Sequence, residues 1–372
     1  MSTNSQPRTL VFSLRNLRFQ AANCCIYEWE DLLCDIEGAD LYCPKREYPI
    51  SRKFYRVARS LSGSDKFARS IMNFSDGITL DREYDLFFVV VDSPWYLHII
   101  NSIKGWREKC RHAVCFIAET WEPELDDWPL QQEPFRSFDH IFVGVTHCVE
   151  GLEKRFGKPC TYLPPAVSTK RFCPYPNPPE RSIDVAYVGR RSPEVHNSLK
   201  KLRDQKNFFY YYDTVKGQYL IIDNHQEHRD LFANLLQRSR YTITYYAKFN
   251  VAEETGGQQE IGYRFFESAA AGTVMLGIPP NTPEFSKYFD WEDPVIKVDP
   301  RTEDIADVIA ELDAQPERLA QMSRNNIANC LLKHDWTYRW KDILNTLGLQ
   351  PTEATINHVN YLHKLAEEIN QH

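Results

Sequence analysis

Short apolar runs alternate with helix-length segments along this chain of 372 residues, and this alternation limits how it can fold. Such alternation is typical of parallel βαβ units and not of a β-sandwich. We therefore predict an α/β protein with parallel sheets. The predicted strands are residues 9–13, 39–42, 84–91, 112–118 and 140–145, with helices at 23–36 and after the last of these strands.

Length and composition predict two domains. A chain of 372 residues with 42 % hydrophobic and 13 % aromatic residues is sufficient for two buried cores. The proline-rich segment 174–181 (PYPNPPER) is predicted to be extended and to act as a hinge linker. The predicted division is a domain at 1–170, a linker at 171–182, a domain at 183–345 and a terminal helix at 346–372.

The net charge of −7 argues against general nucleic-acid affinity, because neutralising phosphates needs an excess of clustered Lys and Arg. Residues 45–70 are the one locally basic region, with eight Lys or Arg against two acidic residues, beside an apolar stripe of Phe54, Val57 and Leu61. A basic amphipathic helix there would contact anionic lipid headgroups or an acidic glycan. A merely solvated helix face is the alternative, and flotation with anionic liposomes at low salt distinguishes the two.

Cysteine usage and the first residues predict a cytoplasmic protein. Ten cysteines are present without a CxxC pair or a Cys/His cluster of zinc spacing, which indicates reduced thiols, mostly in the core, and no metal site. The N-terminal residues lack the apolar region of a signal peptide. The longest apolar run, residues 86–91, is too short to span a bilayer. Peripheral membrane contact through residues 45–70 is a further prediction.

Residues 260–273 (EIGYRFFESAAAGT) are the main candidate for a binding site, because Arg264, Glu267 and Ala271 fall on one helix face. An Arg and a Glu beside small residues suit a ligand that has both an anion and a diol, and the turn at Gly272 lets a ligand approach closely. A nucleotide sugar carries both groups. An Arg–Glu ion pair within a packed helix is the alternative.

Several separated segments resemble group 1 glycosyltransferases of the GT-B fold, especially the branch related to the spore protein CgeB. The resemblance covers residues 140–345. It is carried by FGKPCTYLPPAVSTKRFCPYP (156–176), DVAYVGRRS (184–192), RFFESAAAGTVMLG (264–277) and HDWTYRWKDIL (334–344).

This resemblance implies two Rossmann-like domains that face a cleft, with the acceptor bound by the N-terminal domain and a nucleotide sugar by the C-terminal domain. It also implies that the C-terminal helix crosses back to the N-terminal domain; dimerisation through its apolar stripe is the alternative. The implied activity is sugar transfer from a nucleotide-diphosphate sugar to a glycan, lipid or small-molecule acceptor. No cofactor other than this donor substrate is implied.

By similarity, Glu267 would accept hydrogen bonds from the ribose hydroxyls and Arg264 would lie near the phosphates. Gly189 and Arg190 follow a predicted strand where the family has a basic residue near the turn; Arg191 is the less favoured choice. Lys248 is a second phosphate candidate. The positions that follow the Arg264–Glu267 helix, Gly272 and Thr273, complete the predicted donor site.

One spacing departs from the family. Many group 1 enzymes carry two glutamates with seven residues between them, whereas only six residues separate Glu260 from Glu267. The difference of one residue rotates the first carboxylate by about 100° on a helix. The contact with the transferred sugar is therefore left open between Glu260, Glu253 and Glu254, as are the sugar and the retaining or inverting outcome.

An inverting enzyme of this kind needs a general base from the N-terminal domain. Glu119 is preferred and Asp92 follows, because each comes directly after a predicted strand, whereas His140 opens its strand and would lie at the opposite edge. Simple loop anchoring is the alternative for both acids.

A helix N-terminus and positioned cations stabilise a departing diphosphate without a metal ion. The only metal-type acidic pair, Asp126-Asp127, is interpreted as a solvated loop.

Two other functions remain open on the sequence alone. A non-catalytic scaffold of the same fold would bind a nucleotide without turnover. A sugar-nucleotide epimerase would convert the donor without an acceptor, so product analysis in the absence of an acceptor separates it from a transferase.

Overall fold

The computed structural model describes residues 7–45, 57, 60–63, 77–126, 133–205, 207–214 and 220–371. Most of the basic region at 45–70 and Asp127 lie outside the described residues, so membrane contact through that region stays a prediction. The chain divides into two compact units, the first comprising residues 1–19, 37–120 and 124–162, and the second 20–36, 121–123 and 163–372. The functions predicted for the two domains also stay predictions.

The first unit contains a parallel sheet of six strands in the order β2-β1-β4-β6-β7-β8. A short parallel pair, β3 with β5, lies apart from this sheet. The strands are β1 (Thr9–Phe12), β2 (Asp40–Tyr42), β3 (Ile78–Thr79), β4 (Tyr84–Val91), β5 (Ile103–Lys104), β6 (Cys110–Ile117), β7 (His140–Val143) and β8 (Cys160–Tyr162).

The central strands β4 and β6 are almost continuously apolar because both of their faces are buried, as is usual in parallel sheets. The strands and the helix predicted for this part of the sequence are confirmed to within a few residues. Asp92 follows β4 and Glu119 follows β6. Since these neighbouring strands are parallel, both acids lie at the same sheet edge, where the Glu119 amide donates to the Asp92 carbonyl at 3.0 Å.

The second unit contains a parallel sheet of five strands in the order β10-β9-β11-β12-β13. Two apolar clusters cover it, one containing Phe265 and Phe266 and the other containing Leu199 and Ile309. The strands are β9 (Ile183–Tyr187), β10 (Tyr210–Tyr212), β11 (Ser239–Tyr245), β12 (Val274–Ile278) and β13 (Ile296–Lys297).

The helices follow the strands in the order expected for βαβ units. The described α-helices are α1 (Cys24–Glu37), α2 (Val149–Phe156), α3 (Thr169–Phe172), α4 (Pro193–Gln205), α5 (His225–Gln237), α6 (Ala252–Thr255), α7 (Tyr263–Ala270), α8 (Pro283–Tyr288), α9 (Ile305–Asp313), α10 (Pro316–Lys333), α11 (Trp336–Thr346) and α12 (Glu353–Asn370). Short 3₁₀ helices occur at Ala21–Asn23, Pro94–Ser102, Arg107–Lys109, Glu122–Glu124, Glu133–Ser137 and Thr146–Cys148.

Helix α1 lies early in the chain, but all of it except Glu37 belongs to the second unit. Trp29 of α1 stacks on Trp336 of α11 with ring centroids 4.6 Å apart, and both rings are fully buried. Two large aromatic side chains buried together contribute several kcal/mol of hydrophobic stabilisation. This contact fixes α1 against the C-terminal part of the chain.

The terminal helix α12 packs its apolar stripe within the second unit. Leu362, Leu365 and Ile369 cluster with Ile327 and Leu331 of α10. Its N-cap residue Thr352 also donates a hydrogen bond of 2.5 Å to the carbonyl of Ile36 in α1. The crossing of this helix to the N-terminal domain stays a prediction.

All ten cysteines are free thiols and seven of them are buried, in agreement with the prediction of reduced core thiols. Within the described ranges, no helix combines the length and the apolar character that crossing a membrane requires.

The turn between α7 and β12 depends on Gly272. Its φ is +66°, a backbone conformation that residues with a side chain rarely adopt. A Cβ atom at this position would lie 2.5 Å from Ile327 Cδ1 and 2.6 Å from Ser323 Oγ. Gly348 has a similar φ of +68°, but a Cβ atom there would meet nothing within 4 Å. A side chain at Gly272 would therefore add both backbone strain and crowding, whereas a side chain at Gly348 would add backbone strain alone.

We expect Gly272→Ala to lower the free energy of unfolding by about 1–3 kcal/mol more than Gly348→Ala does, because only the first overpacks the α10 contact. Urea denaturation of both variants measures the difference. Equal losses would show that α10 moves aside at no cost.

Candidate functional site

A cavity of about 630 Å³ opens in the second unit, and residues from several separate parts of the chain line it. This volume is within the range of small-molecule sites. The lining residues are Ala21, Ala22, Cys25, Val188, Gly189, Arg190, Asp213, Leu220, His228, Arg229, Phe232, Glu254, Tyr263, Arg264 and Glu267. The cavity thus brings together Gly189, Arg190, Arg264 and Glu267 from the predicted donor site.

Helix α7 positions the Arg264–Glu267 pair. The helix begins after Gly262, so Arg264 lies in its first turn and Glu267 lies one turn later. Arg264 Nη1 is 3.1 Å from Glu267 Oε2, and the guanidinium carbon of Arg264 is 4.2 Å from the centre of the Phe232 ring. The ion pair that was the alternative interpretation is therefore present, and it also lines the cavity.

Arg229 of α5 joins Glu267 to a second carboxylate. Its Nη1 donates to Glu267 Oε1, while its Nε donates to Glu28 Oε2 at 2.9 Å and its Nη2 to Glu28 Oε1 at 3.4 Å. The Arg229 side chain is only 3 % exposed and stacks on the ring of Phe172 at 4.6 Å. One buried cation therefore bridges two buried acids.

Glu28 of α1 is held by two further donors. The amide of Ser168 donates to Glu28 Oε1 at 2.6 Å, and Arg171 Nη1 donates to Glu28 Oε2 at 3.0 Å. The Glu28 side chain is 1 % exposed. Arg171 in turn pairs with the exposed carboxylate of Asp230 at 2.8 Å. This alternating series of charges, which we call the charge chain, comprises Asp230, Arg171, Glu28, Arg229, Glu267 and Arg264.

The charge chain holds Glu267 ionised. Burial alone would raise the pKa of this carboxyl, but the charges of Arg264 and Arg229 and the hydrogen bond from Arg229 outweigh burial and keep the pKa below its ordinary value. Burial would likewise lower the pKa of Arg229, yet the two glutamates raise it. Both groups are thus charged at neutral pH.

His228 and Cys25 also line the cavity and are uncharged. Burial lowers the pKa of His228, and the charge of Arg229 lowers it further, so the imidazole is neutral at pH 7. Burial raises the pKa of the Cys25 thiol, which donates to the Ala22 carbonyl at 3.2 Å. Neither was predicted from sequence.

The two neighbouring arginines in the turn after β9, Arg190 and Arg191, have different surroundings. Asp213 Oδ2 accepts a hydrogen bond of 2.7 Å from the Gly189 amide, and its Oδ1 pairs with Arg191 at 2.8 Å. Gly189 has a φ of +95°. Arg190 is exposed, lines the cavity, and makes no ion pair or hydrogen bond with any residue that the structure describes. Arg190 is thus available to a ligand.

The short helix α6 supplies Glu254, one of the alternatives for sugar contact. Lys248 has a φ of +53°, and its Nζ lies 3.2 Å from Glu254 and 5.2 Å from the centre of the Trp121 ring. Glu254 lines the cavity, whereas Lys248 does not. The predicted phosphate cation Lys248 is therefore paired with an acid at the cavity wall.

Three other predicted donor residues lie outside the cavity lining. The Gly272 carbonyl accepts a hydrogen bond of 2.9 Å from Arg181, and the Thr273 hydroxyl donates to the Leu236 carbonyl at 2.8 Å. Glu260 is 3 % exposed, and its carbonyl accepts from the Ala247 amide at 3.0 Å. These contacts give each residue a place in packing or in backbone hydrogen bonding.

The predicted catalytic acids lie in the first unit. Glu119 is exposed at the end of β6. Asp92 Oδ2 accepts hydrogen bonds from Arg18 at 3.1 and 2.7 Å, and Arg18 stacks on Tyr96 at 4.2 Å. His140 opens β7 and hydrogen-bonds to Thr161, as expected for the opposite edge.

No metal-type cluster of three His, Cys, Asp or Glu occurs among the described residues. Asp126, half of the acidic pair considered for metal binding, is exposed and forms an ion pair with Arg155. The solvated-loop interpretation agrees with this position of Asp126.

Sequence signals for Arg229 and Glu28 existed but were weak. Arg229 occupies the first position of a buried i, i+3, i+4, i+7 stripe that continues with Phe232, Ala233 and Leu236. Glu28 lies within a buried run at residues 24–30 of α1. A charged residue on an apolar face indicates a buried partner, but the partner lies 201 positions away along the chain.

We expect Arg229→Met to lower the free energy of unfolding by about 3–5 kcal/mol at pH 7.5, because two buried carboxylates lose their shared cation. Loss of the Arg229 charge would raise the pKa of Glu267 in the folded variant, so protonation of this carboxyl restores stability as the pH falls. The loss relative to wild type should therefore be smaller at pH 5.5.

Urea denaturation at both pH values measures this effect. Arg240→Met is the matched control, since Arg240 also pairs with two carboxylates, Asp184 and Asp313, but its side chain is 32 % exposed. Its loss should be at most about 1 kcal/mol. A loss of stability in Arg229→Met that is small, or equal at both pH values, would show that the two buried carboxylates do not depend on the charge of Arg229.

Comparisons with known proteins agree with this architecture. Residues 211–345 match the family described as glycosyl transferase-like. No curated protein matches the chain in sequence. HepE of Anabaena in complex with UDP and glucose is similar in structure, with a TM-score of 0.53 and 10 % identity over 92 % of this chain and 100 % of that one.

An α-glucosyltransferase in complex with UDP and a 13-mer DNA is also similar, with a TM-score of 0.55 and 11 % identity over 92 % of this chain and 99 % of that one. These similarities confirm the GT-B fold; the CgeB-like branch stays a prediction. Residues 211–345 thus match a glycosyl transferase-like family, in a chain that has the GT-B fold.

Proposed function

We propose that this protein transfers a sugar from a UDP-sugar to a glycan, lipid-linked or small-molecule acceptor. The observation that carries the proposal is the cavity of the second unit, which is lined by three arginines and by the ionised carboxylate of Glu267. The uridine base is proposed because both similar structures hold UDP.

Glu267 suits a ribose diol. An ionised carboxylate offers about four acceptor sites. One is used by Arg229 Nη1 and one faces Arg264, so about two remain, and two vicinal hydroxyl donors need two acceptors. Each hydroxyl bonded to this charged acceptor would contribute about 1.5–3 kcal/mol.

The diphosphate would lie between Arg190 and Arg264. Arg190 makes no ion pair or hydrogen bond with another described residue. Arg264 lies in the first turn of α7, where a positive side chain is unfavourable, and it shares its one carboxylate partner, Glu267, with Arg229, so a further anion would be favourable there. The backbone N–H groups at the start of α7 add a positive dipole end. These groups supply positive charge to the leaving group, which supports transfer without a metal ion.

Glu254 is proposed to face the transferred sugar, because of the three glutamates left open by sequence it lines the cavity, whereas Glu260 is buried outside it. Its pairing with Lys248 leaves carboxylate acceptor sites for sugar hydroxyls.

Glu119 is proposed as the general base for an inverting outcome. It is exposed at the carboxyl end of β6, whereas the neighbouring Asp92 carboxylate is neutralised by Arg18 at 2.7 Å. The exposed position makes the Glu119 carboxylate accessible to an acceptor hydroxyl, which favours Glu119 over Asp92.

The donor role of Glu267 is tested with Glu267→Gln, which keeps the side-chain volume but removes the charge. We expect UDP affinity and kcat/KM for UDP-glucose to fall about 10- to 100-fold, the value of one charged hydrogen-bonding partner. Calorimetric titration and UDP release, both with a chelator of divalent ions present, measure these quantities.

Glu317→Gln is the control, because Glu317 is exposed on α10 and does not line the cavity. Its UDP affinity should equal that of wild type. Unchanged affinity in Glu267→Gln would refute the ribose role, and turnover that needs a divalent ion would refute the metal-free mechanism.

The base is tested with Glu119→Gln and Asp92→Asn. We expect Glu119→Gln to lower kcat of UDP-glucose turnover about 10²- to 10⁴-fold without changing the affinity for UDP. Asp92→Asn should have the smaller effect on kcat. The opposite order would assign the base to Asp92, and wild-type kcat in both variants would exclude both acids.

A further inference from the structure

We propose that Glu28 is a positioning residue that sets the preference of the donor cavity for a ribonucleotide over a 2′-deoxyribonucleotide. This inference rests on the proposed function, in which Glu267 accepts hydrogen bonds from the ribose hydroxyls. Glu28 does not line the cavity; it would act through Arg229.

Arg229 donates two hydrogen bonds to Glu28 and one to Glu267. A guanidinium carries five N–H donors in a rigid planar fork. Glu28 takes the Nε and Nη2 donors of Arg229, at 2.9 and 3.4 Å, and Nη1 alone reaches Glu267. Glu28 thus limits Arg229 to a single contact with Glu267.

Glu28 is itself held by further hydrogen bonds, so it can hold Arg229 in place. Its oxygens also accept from the Ser168 amide at 2.6 Å and from Arg171 at 3.0 Å, and its side chain is 1 % exposed. The next residue, Trp29, is fully buried in its stack on Trp336. A side chain held by four donors on a docked helix has little freedom to follow a moving partner.

The consequence concerns the acceptor sites of Glu267. While Glu28 balances Arg229, about two acceptor sites of the Glu267 carboxylate remain for ligand hydroxyls. Without the negative charge of Glu28, Glu267 would be the only acid left to neutralise buried Arg229, and the guanidinium would turn toward it. A second Arg229 contact would then occupy a site that the ribose 2′-hydroxyl needs.

The test is the ratio of dissociation constants for 2′-deoxyuridine diphosphate and UDP, measured by calorimetric titration. We expect wild type to bind UDP more tightly. In Glu28→Gln, which keeps the shape and removes the charge, that ratio should fall about 3- to 10-fold, because the affinity for UDP falls while the affinity for the deoxynucleotide changes little. A purely structural role would weaken both nucleotides by the same factor.

Glu37→Gln is the matched control. Glu37 is a buried glutamate at the end of the same helix, and it pairs with Arg8 at 2.8 Å in the first unit. The substitution has the same chemistry and should also lower stability. The nucleotide ratio should equal that of wild type.

Arg229→Lys keeps the test decisive if Glu28→Gln fails to fold. A lysine carries its positive charge on one nitrogen, which cannot serve both carboxylates as the fork does. An ammonium held by Glu267 would occupy an acceptor site that the ribose 2′-hydroxyl needs, so the ratio should fall in this variant also. A wild-type ratio in the folded variants would overturn the role of Glu28 and leave the proposed function intact. Failure of the wild-type protein to bind UDP would overturn both.

Discussion

The buried cation of Arg229 between Glu28 and Glu267 is the interaction on which the candidate site depends. Removing a guanidinium and two carboxylates from water costs several kcal/mol for each ion, and only close pairing with further hydrogen bonds offsets that cost. The structure meets this condition with donors on both acids and with Phe172 stacked on the guanidinium. Because a partly satisfied buried network is strongly destabilising, the members of the charge chain must hold their positions together.

The charge chain also explains how distant parts of the sequence form one cavity. Glu28 comes from the N-terminal helix α1, Arg229 from α5 and Glu267 from α7, and all three belong to the second unit. The Trp29–Trp336 stack fixes α1 there by apolar burial, and the ion pairs fix its orientation. Hydrophobic contact therefore supplies attachment, while the directional hydrogen bonds determine which carboxylate oxygens remain open to a ligand.

The basic residues around the cavity differ in how fully acidic side chains neutralise them. Arg191 is held by Asp213, Lys248 is held by Glu254, and Arg229 is enclosed between two acids. Arg190 has no ion-pair or hydrogen-bond partner among the described residues. Arg264 pairs with Glu267, which Arg229 also contacts, and the side chain of Arg264 is 26 % exposed. The distribution of partners, more than the number of basic residues, decides where an incoming diphosphate would find positive charge.

The sequence determined the parallel α/β architecture, because strand and helix periodicities follow from local patterns of apolar residues. It also placed Arg264 and Glu267 one helical turn apart and put Glu119 and Asp92 at strand ends, since these relations depend only on neighbours in the chain. Tertiary structure alone decided that Arg229 joins Glu28 to Glu267 and that Gly272 and Thr273 are not among the residues that line the cavity. Those facts depend on contacts between segments up to 201 positions apart, whose pairing no local periodicity records.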